Sequence, residues 1–370
     1  MRVRSLAERV GGTWVEWVLD ARQLAVFARN DTFAPGQGAR VQQPIGRYLD
    51  DGDALFNWLH SVAIGLPAMH FACRSGLAEA VAVGPVSIDD FAARTGLPAD
   101  KLRRIANYLA AHGLIDIGAD GTMLPNTRTA RLGRLHGLWQ QMINTTTAGS
   151  ALFEGLQTGR TAFEVKFGRP VFEHFALHPE LGAEFASFMS FMTRRTLAFL
   201  DANYAFEPFE TAVDLGGSEG DLLAHVLAHH PKARGILFDL PEVVARAPNP
   251  PEGARVSLVG GDFFHSVPAA DLYLLKQILH DWDDAQCVRI LANVRQAIAP
   301  GGKVVILDHL LGAEAQVGEA LSTDIAMMIW ANGHERNREQ FAGIFRQSGF
   351  RTGETVANPR GHSVIEAIPV

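Results

Sequence analysis

Thr211-Ala-Val-Asp-Leu-Gly-Gly-Ser-Glu-Gly220 decides the fold. Ala212, Val213 and Leu215 spell a buried strand, and Gly216, Gly217 and Gly220 permit a tight turn whose backbone can approach a ligand closely. The residues that follow place Leu222, Leu223, Val226 and Leu227 on one helical face. A second strand, Gly235-Ile-Leu-Phe238, ends in Asp239. An acid there can accept both hydroxyls of a ribose, so the pattern predicts a nucleoside site at the carboxyl edge of an α/β sheet.

The glycine turn alone leaves other readings open. Gly216-Gly217-Ser218-Glu219-Gly220 also spells G-x-S-x-G, the nucleophile elbow of serine hydrolases, which sits in the same strand-turn-helix setting. A dinucleotide site would want G-x-G-x-x-G, which this spacing does not give. A turn that merely packs a helix on a sheet is the blandest alternative.

Downstream, the chain keeps alternating strand and helix, as a doubly wound sheet does. Strands are expected near 255–259, 271–276 and 303–308. The tail reads as two more strands around Asn358-Pro-Arg-Gly361, an antiparallel pair that would leave one edge strand reversed.

The residues closing these strands carry the chemistry. Gly260-Gly-Asp-Phe-Phe264 follows the third strand, where Asp262 could accept from an exocyclic amine and Phe263 could face a purine. The fourth strand ends near Lys276 and runs into Gln277-Ile-Leu-His-Asp-Trp282. Ligands of open α/β sheets bind beyond the carboxyl ends of the strands, so His280 falls near the cleft and is a candidate for proton transfer. Asp308 ends the fifth strand on the same side. Glu335, in the polar loop Asn332-Gly-His-Glu-Arg-Asn337, is a second acid that could orient the His280 imidazole. Its bland alternative is a helix N-terminal charge complementing the dipole.

Upstream, residues 31–50 read as a loop and the stretch from Leu55 to about Leu114 as helical. Ser87-Ile-Asp-Asp90 suggests a capping box, and Leu102, Ile105, Ala106 and Leu109 form one helix face. Gly113-Leu-Ile115 with Thr122 to Leu124 reads as a small β wing. This is a winged-helix pattern, with Lys101, Arg103 and Arg104 beside the candidate recognition helix. Winged helices also serve as dimerisation scaffolds, which is the preferred reading. The apolar stretch Leu55 to Leu77 lacks a polar face and is expected to be buried across a two-fold interface.

Asp and Glu outnumber Lys and Arg by 40 to 33, a net charge of −7, which argues against a dedicated nucleic-acid or anionic-membrane binder. No apolar run reaches the roughly 20 residues of a membrane span. Arg2, Arg4 and Arg9 precede no signal-peptide core, because Glu8, Glu16 and Asp20 interrupt it, while Trp14, Trp17, Val18 and Leu24 suggest an amphipathic helix. Cys73 and Cys287 have no partner at metal-ligand spacing and are expected to be reduced thiols of a cytoplasmic protein. No H-E-x-x-H or comparable ligand set appears, so no metal is expected.

Taken in order, Val213-Asp-Leu-Gly-Gly, Phe238-Asp-Leu-Pro241, Gly261-Asp-Phe-Phe, Leu275-Lys-Gln-Ile-Leu-His-Asp-Trp282, Pro300-Gly-Gly and Gly333-His-Glu-Arg336 resemble the plant-type small-molecule O-methyltransferases and their bacterial natural-product branch. The resemblance covers about residues 50 to 370. It implies a Rossmann-like class I methyltransferase sheet with a mainly helical, winged-helix-type N-terminal dimerisation domain. The domains would be an extension (1–50), the dimerisation domain (51–150), a helical connector contributing to the substrate pocket (151–205) and a cofactor domain (206–370).

The resemblance also implies S-adenosylmethionine as cofactor, contacted by Gly216, Gly217, Asp239, Leu240, Asp262, Phe263 and Lys276. His280 would be the general base, flanked by Asp308 and Glu335. Phe185, Met189, Met192, Trp282, Met327 and Met328, with Trp330, suggest a flat, apolar and aromatic small-molecule acceptor. Two departures stand out: the family more often has a third consecutive glycine where Ser218 stands, and Glu where Asp308 stands. The rivals are a hydrolase using Ser218 with Asp308 and His334 or His362, a non-methylating use of the same cofactor, and a winged-helix regulator.

Overall fold

The computed structural model describes residue 49 and residues 51–247, 255–312, 319–358 and 361–370. The amphipathic segment read at residues 14–24, and nearly all of the 1–50 extension, lie outside the described residues. The chain divides into two compact units, one ending at Ile143 and the other running over Asn144–Val370.

In the first unit, α1 (Gly52–Arg74), α2 (Leu77–Val83), α3 (Ile88–Thr95) and α4 (Ala99–Ala111) precede a two-stranded wing, β1 (Asp116–Ile117) and β2 (Met123–Leu124). Ser87 caps α3 by accepting the Asp90 N–H at 3.3 Å, one half of the expected box. Leu102, Ala106 and Leu109 bury the inner face of α4 against Ile88, Phe91, Leu114 and Met123. Two basic residues of α4 are neutralised by acids, Lys101 by Asp100 and Arg103 by Asp89, each at 3.6 Å. Phe56, Leu59, Val62 and Ile64 of α1 remain exposed on this chain, at 63%, 50%, 41% and 47%. α5 (Thr129–Arg134) follows, and the boundary at Ile143 falls within α6 (His136–Gly149).

The second unit continues with α7 (Leu152–Thr158), α8 (Ala162–Phe167), α9 (Val171–Leu177) and the long α10 (Pro179–Asn203). Its sheet is built from β3 (Thr211–Leu215), α11 (Asp221–His229), β4 (Arg234–Asp239), α12 (Pro241–Val244), β5 (Val256–Gly260), β6 (Ala270–Lys276), α13 (Asp284–Ala297) and β7 (Ile298–Asp308). Then come β8 (Leu310–Leu311), α14 (Glu319–Trp330), β9 (Arg336–Asn337), α15 (Arg338–Gln347), β10 (Phe350–Val356) and β11 (Ser363–Pro369).

The seven-stranded order is β10-β11-β7-β6-β3-β4-β5. From β3 the chain builds outward through β4 and β5, then returns to the other side of β3 for β6 and β7. The switch point therefore lies between β3 and β6, whose Asp214 and Leu274 pair in parallel register. On one face Val213, Tyr273 and Ile306 pack against Ile290, Leu291, Phe341 and Phe345. On the other, Ala212, Leu274 and Leu307 pack against Leu200, Leu223 and Val226.

Two details depart from the sequence-based expectation. The strand expected near 303–308 starts earlier, at Ile298, so that Pro300-Gly-Gly belongs to the irregular start of β7, with a register shift against β6 between Ala270 and Leu272. The reversed strand is not at the edge: β11 runs antiparallel to β7, and β10, antiparallel to β11, restores the common direction at the edge. Burial explains the order. Ser363 to Ala367 of β11 are all buried, whereas most of β10 is partly or fully exposed.

Candidate active site

The first turn of the site follows β3. Gly216 has φ +72°, a conformation that favours glycine, and a Cβ on Gly217 would lie 2.4 Å from Leu237 Cδ1 and 2.6 Å from Asp214 Cγ. Ser218 is also left-handed, at φ +53°. The strain is held by Asp239, whose Oδ2 accepts the Ser218 N–H at 2.9 Å while Oδ1 accepts the Leu240 N–H at 2.7 Å. Burial pushes the Asp239 carboxyl above the usual range, against the pull of those two N–H donors. Asp214, beneath the turn, is pushed up to about 7, mainly by burial. It was not among the expected site residues, although it stands in the Val213-Asp-Leu-Gly-Gly run.

Lys276, at the end of β6, donates to Gln277 Oε1 at 2.9 Å. Burial lowers it to about 8, with the carboxylates of Asp214 and Asp308 opposing. Asp262 turns back on its own loop, accepting from Phe264 N–H and from His265 Nδ1, both at 2.8 Å. Phe263 meets Trp282 edge to face, with ring centroids 6.0 Å apart.

The second turn, after β6, carries His280, which is 4% exposed. Its Nδ1 lies 2.7 Å from Glu335 Oε1, and its Nε2 lies 3.6 Å from Asp281 Oδ1. Glu335 is itself buried, and burial, reinforced by the Asp324 carboxylate, pushes it well above the usual range. A carboxylate oxygen at Nδ1 fixes the tautomer and leaves Nε2 to act on a substrate proton. Glu335 precedes Asn337, the N-cap of α15, so it is not a first-turn helix charge. Asp308 is fully buried and neither carboxylate oxygen has a hydrogen-bond partner. Burial pushes it up to about 6, with the His280 charge pulling it down.

Sequence reasoning missed what holds the second turn in place. Arg336, fully buried, donates from Nη1 to the Leu279 carbonyl at 2.8 Å and from Nη2 to the Trp282 carbonyl at 2.7 Å. Its guanidinium also pairs with Asp284, Nη2 to Oδ1 at 2.8 Å. Gly333 closes against the same turn, where a Cβ would stand 2.1 Å from the His280 carbonyl oxygen. Both residues lie in the Gly333-His-Glu-Arg336 run, but nothing local in that run reveals its partner.

Among the expected acceptor-wall residues, Met192 and Met327 are buried. Phe185 stacks near Phe175, 5.1 Å between centroids, in a cluster that includes Phe163 and Trp330. Trp282 also stacks with Phe172 at 6.1 Å. Met189 is half-buried on α10, on the same helix as Met192. Met328 differs: it is 41% exposed, in an outer stripe with Leu321 and Ile325. Adjacent positions on a helix point about 100° apart, so Met327 and Met328 cannot both face inward.

The hydrolase reading lacks its base. His362 Nδ1 bonds Thr196 Oγ1 at 2.6 Å, His334 lies near Asp284, and no hydrogen bond joins Ser218 to a histidine among the described residues.

A sequence profile of the O-methyltransferase domain matches residues 150–351. The chain belongs to the O-methyltransferase family. This methyltransferase is 35% identical over 317 residues to the phenazine O-methyltransferase PhzM of Lysobacter antibioticus, covering 82% of this chain and 92% of that one. The solved structure of LaPhzM superposes with a TM-score of 0.78 at 31% identity, covering 86% of this chain and 99% of the other. The neocarzinostatin-biosynthesis O-methyltransferase NcsB1, in complex with S-adenosyl-L-homocysteine and 1,4-dihydroxy-2-naphthoic acid, gives a TM-score of 0.65 at 25% identity, covering 83% and 96%.

The cofactor of the methyltransferase is S-adenosylmethionine. The first turn fits it: Gly216 and Gly217 leave the turn's backbone without side chains, and Asp239 is a buried acid at the end of the second strand. No helix among the described residues is long and apolar enough to cross a membrane.

Proposed function

We propose that the methyltransferase acts on an aromatic natural-product hydroxyl, with His280 as general base. The observation that carries this reading is the buried 2.7 Å contact between His280 Nδ1 and Glu335 Oε1 at the carboxyl ends of the strands. S-adenosylmethionine supplies an electrophilic methyl group on a sulfonium. Gly216, Gly217, Asp239, Leu240, Asp262, Phe263 and Lys276 would hold it. Asp262 and Lys276 would exchange their present partners, His265 and Gln277, for the ligand.

His280 Nε2 takes the acceptor's hydroxyl proton as the oxygen becomes the nucleophile, and Glu335 stabilises the resulting imidazolium through Nδ1–H. Asp308 adds a second negative charge within the field of that imidazolium. Arg336 and Gly333 fix the turn, so the imidazole need not search for its position. The relatives support the aromatic acceptor, since one is a phenazine O-methyltransferase and another was solved with a dihydroxynaphthoic acid. The aromatic side chains around Phe163, Phe175, Phe185 and Trp330 offer matching surfaces.

The exposed apolar residues of α1 are proposed to be covered by a second copy of the chain, making a homodimer. The buried cysteines Cys73 and Cys287 accord with a cytoplasmic enzyme. Incubating the full-length protein with methyl-labelled cofactor and a panel of flat phenols should yield a labelled aryl methyl ether. Transfer only to non-aromatic acceptors, or to nitrogen or carbon, would overturn this reading of the acceptor. Light scattering should give twice the chain mass, and a clean monomer at micromolar concentration would remove the dimer.

A further inference from the structure

α10 and α11 carry a cluster of side chains that methyl transfer does not use. His225 and His229 stand four residues apart on α11, so their rings share one helix face. Asp201, near the end of α10, meets them, with Oδ1 2.8 Å from His225 Nε2. One ligand atom from each of the three lies within 4.8 Å of the other two. His229 Nδ1 lies 3.1 Å from the His225 carbonyl oxygen. A carbonyl oxygen can only accept, so Nδ1 carries the proton and Nε2 keeps its lone pair. That is how a ligating imidazole is prepared by its surroundings.

We propose that Asp201, His225 and His229 bind one divalent transition-metal ion of the zinc class, bracing α10 to α11. Two imidazoles and one carboxylate suit zinc, nickel or copper, and discriminate against magnesium and calcium, which want oxygen ligands. Three such donors about 2.0–2.2 Å from one zinc ion stand roughly 3.3 Å apart. The Asp201–His225 pair is already at that scale, and His229 is exposed at the end of α11, where a side-chain adjustment would bring its Nε2 to them. Water completes the coordination. Since α10 also carries Met189, Ser190 and Met192, and α11 follows the cofactor turn, the ion would act on the rigidity of the cofactor unit. It would take no part in the chemistry at His280.

Calorimetric titration of zinc chloride into tag-free, chelator-treated full-length protein tests this, with magnesium chloride as the comparison. Zinc should bind once per chain, raise the melting temperature, and bind far more tightly than magnesium. Losing even an outer partner of a metal site weakens affinity roughly 10–100-fold, so His229→Ala and Asp201→Asn should each cost at least tenfold. Copper(II) bound in place of zinc should show two nitrogen couplings by electron paramagnetic resonance, and one in His229→Ala. Zinc affinity unchanged in both variants, or no preference over magnesium, would overturn the proposal. If a variant unfolds, the nitrogen count in the wild-type copper spectrum still decides.

Discussion

The proposed cofactor turn and the proposed base turn follow neighbouring strands, β3 and β6, yet they are held by opposite means. The turn at Gly216 to Gly220 is made by its own glycines and by Asp239 at the end of the adjacent strand. The turn at Gln277 to Trp282 is held by a loop more than fifty positions further along, through Gly333, Glu335 and Arg336. The first can form as soon as β3 and β4 pair. The second is complete only when the loop before α15 has docked. Binding the cofactor and removing the proton should therefore be separable by substitution.

The largest separation should come from His280→Ala. A hydroxyl with a high pKa is a poor nucleophile at neutral pH, and in the proposed mechanism the imidazole supplies the missing base. Turnover should fall on the order of 10²–10⁴-fold while cofactor affinity holds, with a smaller loss for acceptors acidic enough to ionise unaided. Wild-type turnover of the native acceptor in this variant would end the general-base assignment.

Gly333→Ala keeps the His280 imidazole and disturbs the backbone that supports it. The added methyl must displace the His280 carbonyl, 2.1 Å from where that carbon would be built. A shift of about 1 Å at a reacting group can cost about 10²-fold. Single-turnover rates should drop by that order while calorimetric cofactor affinity stays near wild type. Equal loss of both would mean the two turns are one unit and the contrast is false.

Asp239→Ala is the converse, aimed at the cofactor turn. Removing a carboxylate that accepts charge-assisted hydrogen bonds should cost on the order of 1.5–3 kcal/mol, or roughly tenfold to 150-fold in cofactor affinity. Turnover at saturating cofactor should change much less. Unchanged affinity would show that the ribose is held elsewhere.

The same contrast explains what the sequence could reveal. The strand-turn-helix at Thr211 to Gly220 and the acid at Asp239 were legible because they are local patterns with fixed physical meanings. His280 was legible as a polar residue just past a strand end. The Arg336 clamp was not, because an arginine six residues after Trp330, in a polar loop, reads as an ordinary surface charge until the fold buries it. The position of β11 was missed for a related reason. Its run Ser363-Val-Ile-Glu-Ala367 is no more apolar than an edge strand could be, and Glu366 hides its burial until Tyr204 and Lys303 are seen to pair with it. Asp201 is likewise invisible as a partner of His225, since the two meet only when α10 packs against α11.

The subtlest test of the base turn belongs to Asp308→Asn. Asp308 is a buried carboxyl without a hydrogen-bond partner, and burial raises it to about 6 in the folded protein. In the unfolded chain it sits near 3.9. A raised carboxyl favours the folded state while it is protonated, so its contribution is present below about pH 3.9 and is lost as pH rises through about 6. At about pH 7.5 the wild type therefore carries a buried charge that the amide variant does not, a difference on the order of 2–3 kcal/mol. Asp308→Asn should melt a few degrees higher than wild type at about pH 7.5, with the gap closing toward about pH 4. Asp214, pushed up to about 7, and His309, pushed down to about 3, titrate in both proteins and cancel from the difference. Turnover should fall only about tenfold, because Glu335 keeps the tautomer and Asp308 contributes only its field to the imidazolium. A melting gap that is the same at both pH values would mean the Asp308 carboxyl ionises in the folded protein as it does in the unfolded chain, so that burial does not raise it and its charge costs the fold nothing.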